Sequence, residues 1–193
     1  MSIIRNISAQ SDDGFLQSKL HHERLDVFEI DQTTIDDIIS VGNILSTCIE
    51  ECIDELYAFF ETNPLASMHF EGVAIIEHAK IAHEKHWRRL LQVKFDHEYF
   101  MSVEASGRNH AKLKIPLHLF MAAYPRMLNS IGFHASSNGN TFANRHLQAF
   151  NKIVAFDMEL SLEAYFNQKF ETLEANISDL TKLHHHMKSE QSD

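Results

Sequence analysis

Residues 94–116 read KFDHEYFMSVEASGRNHAKLKIP, and the phase of this stretch decides the fold. Asp96 stands where a helix N-cap belongs, since its carboxylate can accept from an amide of the first turn. Behind it Tyr99, Val103, Ser106, His110 and Leu113 recur at spacings of four, three, four and three. That period puts all five on one face of one helix. Pro116 ends the stretch and suits the first turn of the next helix, where its missing amide costs nothing. A histidine therefore sits on an apolar stripe, one short turn before a new helix.

Working outward, the same period recurs. Residues 15–24 form a short leading helix before the extended VFEID. From Thr33, the apolar residues Ile35, Ile38, Ile39 and Val41 lead to Gly42. Leu45, Ile49, Ile53, Leu56 and Phe60 then follow as a second helix, ending at Thr62-Asn63-Pro64, because proline disfavours the α conformation in its predecessor. A helix runs from about Glu71 to Leu91 with Val73, Ile76, Ala79, Trp87, Leu90 and Leu91. After Pro116 come Leu117, Phe120, Met121, Tyr124 and Leu128, with Pro125 expected to kink the helix. FHASSNGNT, 133–141, reads as a loop. A long last helix starts near Phe142, with core residues Leu147, Phe150, Ile153, Val154, Met158, Leu160, Leu162 and Tyr165. Beyond it Phe170, Leu173, Ile177, Leu180 and Met187 fit a heptad seam interrupted by His184.

Bulk composition agrees with an all-α domain. With 193 residues, six Gly and three Pro, the chain has length for one core and few residues that break helices. Hydrophobic residues make 44% and charged ones 23%, as expected for a chain that folds. Net charge of −10 disfavours nucleic acid and anionic membrane as partners. The start, MSIIRNISAQSDDG, has no apolar signal core, and no run approaches the roughly 18 apolar residues of a span, so a cytoplasmic protein is expected. Cys48 and Cys52 read as two core thiols.

Fourteen histidines are the compositional oddity. HEKH at 83–86 is one residue short of the H-E-x-x-H zinc motif, so the imidazoles would not converge on a metal. No histidine has Glu three before it, which removes the di-iron bundle pattern. His86-Trp87 reads as a surface-and-core pair, and the His21-His22 and His184-His185-His186 runs as solvated side chains or adventitious metal binders. Tyr57 shares a stripe with Ile53 and Phe60 and should point inward.

Several features together resemble the haem domain of globin-coupled sensors, a protoglobin-like family. They are Leu56-Tyr57 followed by Asn63-Pro64, His86-Trp87 with Leu90-Leu91, Phe95-Asp96 with Tyr99, Gly107 with His110, Ile115-Pro116, Tyr124, and Asp157 with Tyr165. The resemblance covers roughly 25–170. It implies a globin-like fold with an extra N-terminal helix and no D helix, and haem b bound with His110 as the proximal iron ligand. Tyr57 would lie on the distal side, where it can donate to bound oxygen. Phe60, Phe70, Val103 and Leu113 are the candidate ring contacts, and Ala79 and Lys80 compete for the distal position facing the gas.

The chain then divides into an N-terminal extension at 1–24, a globin sensor domain at 25–169 and a helical extension at 170–193. On this reading it is a bacterial binding module for oxygen, and also CO or NO, not an enzyme. It would act as a homodimer, either free-standing or driving a downstream signalling domain. The alternatives are a haem-less globin-like signalling module, which the presence of His110 disfavours, and a free-standing globin for gas binding or NO detoxification. The latter would need an electron supply, for which the sequence carries no motif.

Overall fold

The computed structural model describes residues 12–69, 73–137 and 143–190. Its elements are α1 (Asp12–Val27), α2 (Gln32–Thr47), α3 (Ile49–Thr62), α4 (Pro64–Ser67), α5 (Val73–Leu90), α6 (His97–Lys112), α7 (Leu117–Ser137) and α8 (Asn144–Glu190), and no strand occurs among the described residues. Phe70 lies outside the described residues, as does 138–142.

Local chemistry sets most of the boundaries. Asp31 caps α2 by accepting from the Thr34 amide at 2.8 Å, and Asp96 caps α6 by accepting from the Tyr99 amide at 2.9 Å. Asn63 caps the short α4, whose first residue is Pro64. At the end of α6 the Lys114 amide donates to the Ala111 carbonyl and the Ile115 amide to the His110 carbonyl. These two bonds form a Schellman motif, and they require Lys114 to take a left-handed φ of 57°. A lysine there is held against its own preference, because a Cβ crowds the following carbonyl in that conformation.

Three boundaries differ from the sequence reading. The break expected at Gly42 lies at Cys48, and Gly42 is a buried residue inside α2. Glycine lowers helix stability by only about 1 kcal/mol against alanine, which packing readily offsets. The loop expected at 133–141 begins later, because α7 continues through Phe133 to Ser137. Pro125 sits within that helix without ending it. The leading helix is longer than expected, taking in Val27 and closing on a left-handed Glu29 where an extended segment was expected.

The core joins α2, α3, α7 and the inner part of α8, with Ile38, Ile49, Met127, Ile131, Ile153 and Phe156 fully enclosed. Each such side chain contributes roughly 1.5–3 kcal/mol of burial. Leu147, expected in the core, is 40% exposed. The thiols of Cys48 and Cys52 are buried as expected, and desolvation pushes Cys52 up to about 12. His21 is not simply solvated, since its ring stacks on Phe100 with centroids 3.6 Å apart. Arg24 on α1 pairs with Glu159 and Glu163 on α8.

Helices α6 and α8 cross at their closest at Gly107. A Cβ on that glycine would lie 2.1 Å from the Ser161 carbonyl oxygen and 2.9 Å from the Ala164 methyl carbon. Only a residue without a side chain lets the two backbones meet here.

Candidate functional site

The buried face of α6 consists of Tyr99, Val103, Gly107 and Ala111, at an unbroken spacing of four. This is a correction of phase. Leu113, expected on that face as a ring contact, is the C-cap residue and is 69% exposed. Ser106 and His110 flank the buried face and are partly buried. Val103 is fully enclosed.

His110 is held in one orientation. Its Nδ1 lies 2.8 Å from the Ser106 carbonyl oxygen. A carbonyl only accepts, so Nδ1 carries the proton and donates it, and Nε2 keeps its lone pair. Phe120 of α7 stacks on the imidazole with centroids 4.6 Å apart, and Phe120 in turn stacks on Tyr165 of α8. Burial lowers the His110 pKa, further aided by the charge of His86 and opposed by the Ser106 bond, so the ring is neutral near pH 7. A neutral imidazole with one nitrogen bonded to backbone and the other left with a lone pair is the donor arrangement of a metal-ligating histidine.

Across from α6, the side chain that faces His110 is His83 of α5. The two rings lie 5.7 Å apart between centroids and 16° from parallel. His83 Nδ1 is 2.9 Å from the Tyr57 hydroxyl, and burial pushes its pKa down to about 3, with the charges of His110 and His86 adding to this. Tyr57 is 1% exposed and points inward as its stripe requires, with its ring against Phe60 at 5.8 Å. Burial raises its pKa, so it remains a phenol and a donor. Tyr57 thus bonds the ring that faces His110.

Neither Ala79 nor Lys80 is the residue stacked against His110. Ala79 packs against the core, and Lys80 pairs with Asp54 of α3 at 2.9 Å. His83 was missed, yet Ile76, Ala79, His83, Trp87 and Leu90 run at spacings of three, four, four and three. That periodicity places His83 on the inner face of α5. Counting the histidine as polar concealed it.

Behind the two imidazoles lies a buried polar cluster. Asp157 of α8 is 0% exposed. Its Oδ1 accepts from His86 Nε2 at 2.8 Å and from the Tyr124 hydroxyl at 3.2 Å, and its Oδ2 accepts from the Tyr99 hydroxyl at 2.9 Å. Burial pulls the His86 pKa down, but the Asp157 charge and hydrogen bond together outweigh it and the net direction is up. Burial beside Asp157 drives the Tyr99 and Tyr124 pKa values well above the ordinary range. His86 is therefore a buried partner of Asp157, where the sequence suggested a surface residue.

A match to the family model described as Protoglobin spans residues 17–171. The chain belongs to the protoglobin family. The fold of this protoglobin is also that of a solved structure, the globin domain of the Geobacter sulfurreducens globin-coupled sensor. That match has a TM-score of 0.66 at 14% identity, covering 75% of this chain and 96% of that one. The sequence matches none of the curated proteins compared with it. The all-α, globin-like fold expected from the sequence is present, and none of its described helices is long and apolar enough to cross a membrane.

Proposed function

We propose that this protoglobin is a haem-based sensor of diatomic gas, with haem b held by His110 and oxygen, CO and NO as the class of ligand. The observation that carries the reading is the fixed His110 imidazole, with Nδ1 committed to the Ser106 carbonyl at 2.8 Å and Nε2 left to ligate. Haem, when bound, supplies an iron that takes a diatomic gas. Ser106 and Phe120 hold the His110 ring in register. Phe60 and Val103 supply apolar wall, and Phe70 and Leu113 are proposed for the same ring surroundings. Tyr57 is the hydroxyl donor toward the gas, since oxygen takes partial negative charge on binding and a buried phenol can donate to it.

The same reading assigns 25–169 to the sensor domain, 1–24 to a leading extension and 170–193 to a helical extension through which signal leaves to an output domain or a partner copy. The protein is read as a bacterial, cytoplasmic binding module, not an enzyme. A homodimer built from α7 and α8 would cover Phe170, Leu173, Ile177 and Leu180, all of which are exposed. Light scattering should give a dimer that becomes monomeric on truncation after Tyr165; a monomer at every concentration would remove this part of the proposal. For haem itself, protein purified with haem available should show a Soret band, and His110→Ala should lose haem or its normal ligation. A wild type that takes up no haem would overturn the whole reading.

A further inference from the structure

We propose that Tyr165 is the residue that positions the His110 ring, acting on it from α8 by two routes, through Phe120 and through the Ile115 carbonyl. This rests on the haem-binding reading above and deepens it.

Three observations support it. The first is a path of stacked rings. The His110 imidazole lies on Phe120 with centroids 4.6 Å apart and planes 23° from parallel, and Phe120 lies on Tyr165 at 5.6 Å and 26°. Both are within the range of offset stacks, about 4.5–7 Å. The Ser106 bond fixes one nitrogen of the imidazole but leaves the ring free to rock about it, and the flat contact with Phe120 removes that freedom. A phenylalanine has no polar atom with which to fix its own tilt, whereas the tyrosine stacked on it has one.

The second observation is where that hydroxyl goes. It donates to the Ile115 carbonyl at 2.9 Å, and the Ile115 amide donates to the His110 carbonyl at 3.0 Å. Tyr165 therefore reaches His110 twice, once through its side chain and once through its backbone. The third is location. Tyr165 and Ile115 are 5% and 7% exposed, so a lost bond here leaves a buried carbonyl without a donor. Tyr165 is also the last buried residue of α8 among those described, with Phe166 already 42% exposed. The packed part of α8 thus ends on the side chain that holds the ring.

The two routes are separable. Without the hydroxyl, the aromatic ring of residue 165 still supports Phe120, but the turn behind His110 can move. Without the ring, Phe120 can tilt and the imidazole with it, so Nε2 no longer points along one line.

The test uses the haem-loaded full chain in the ferrous state with nitric oxide, which weakens the bond on the opposite side of the iron and so reports how firmly that histidine is held. Electron paramagnetic resonance reads the ratio of molecules in which His110 has come off to those in which it is attached. Wild type should keep the bond in most molecules. Tyr165→Phe should raise the ratio by roughly several-fold to tenfold, the range of one neutral hydrogen bond, and Tyr165→Leu should raise it further. Ile38→Val, a core change in α2, should lower the denaturation midpoint without moving the ratio, which separates positioning from general loosening. Equal ratios in wild type and both Tyr165 variants at unchanged haem content would overturn the proposal, as would an Ile38→Val ratio that rises as far as theirs. If Tyr165→Leu does not fold, Tyr165→Phe alone decides. Absence of any Soret band in wild type would instead mark failure of the haem reading.

Discussion

Helices α5 and α6 present one histidine each to the same gap, but they are attached to the molecule in different ways. The α6 helix lies backbone against backbone on α8, with Gly107 so close to the Ser161 carbonyl that no Cβ fits. Its far end is closed by the Schellman turn at Lys114, and the Tyr165 hydroxyl donates to the Ile115 carbonyl just beyond. The middle of α5 is instead held by side-chain tips, through Lys80 to Asp54 and His83 to Tyr57, and the buried residues among those described are Ile76 near its start and Trp87 and Leu90 near its end. Backbone contact cannot relax without unpacking a helix, whereas a hydrogen bond between side chains can exchange partners. The pair therefore gives one wall that keeps its place and one that can yield.

The largest effect should come from breaking the fixed wall. Gly107→Val would drive carbon into the Ser161 carbonyl, and the cost should reach about 3 kcal/mol or more, the upper range for overpacking. Chemical denaturation of the haem-free protein measures it, and a variant within about 1 kcal/mol of wild type would mean the α6 and α8 crossing is looser than described. Next is the anchor behind both walls. Asp157→Ala would leave His86, Tyr99 and Tyr124 without their shared acceptor, at a cost of roughly 3 kcal/mol for a broken buried pair. The same denaturation experiment applies, and an unchanged midpoint would show that the cluster contributes little.

The smallest effect sharpens the comparison on the yielding side. A neutral hydrogen bond is worth about 0.5–1.5 kcal/mol, and ~1.4 kcal/mol is tenfold in an equilibrium constant. Tyr57→Phe should therefore raise the oxygen dissociation rate by roughly several-fold to tenfold. CO, which gathers less charge on its outer atom, should respond much less. Equal oxygen off-rates with unchanged haem content would make Tyr57 a packing residue.

What could be read in advance follows the same divide. The ends of α6 were legible because an N-cap aspartate and a following proline are local signals, and Asp96 does bond the Tyr99 amide. Its phase was harder. A hydrophobicity count favours Leu113, whereas the face that packs contains Gly107 and Ala111, whose value lies in having little or no side chain. Gly42 misled in the opposite sense, being taken as a break where it only lies near the Leu91 carbonyl. Tyr57 was legible from its stripe. His83 was hidden because its placement depends on a residue 27 further along the chain, and no local pattern records that His110 lies opposite.

The 47 residues of α8 form one uninterrupted helix, about 70 Å long at 1.5 Å per residue. Its inner part is clamped at Ser161 beneath Gly107, while from Phe166 onward its large apolar side chains are exposed. Mechanically this is a lever with its fulcrum beside the helix that carries His110. A tilt of about 5° at the clamp would carry the far end by roughly 4 Å over the outer part of the helix. A shift too small to disturb the packing around His110 would thus arrive at Lys188 as a displacement comparable to most of a helical turn.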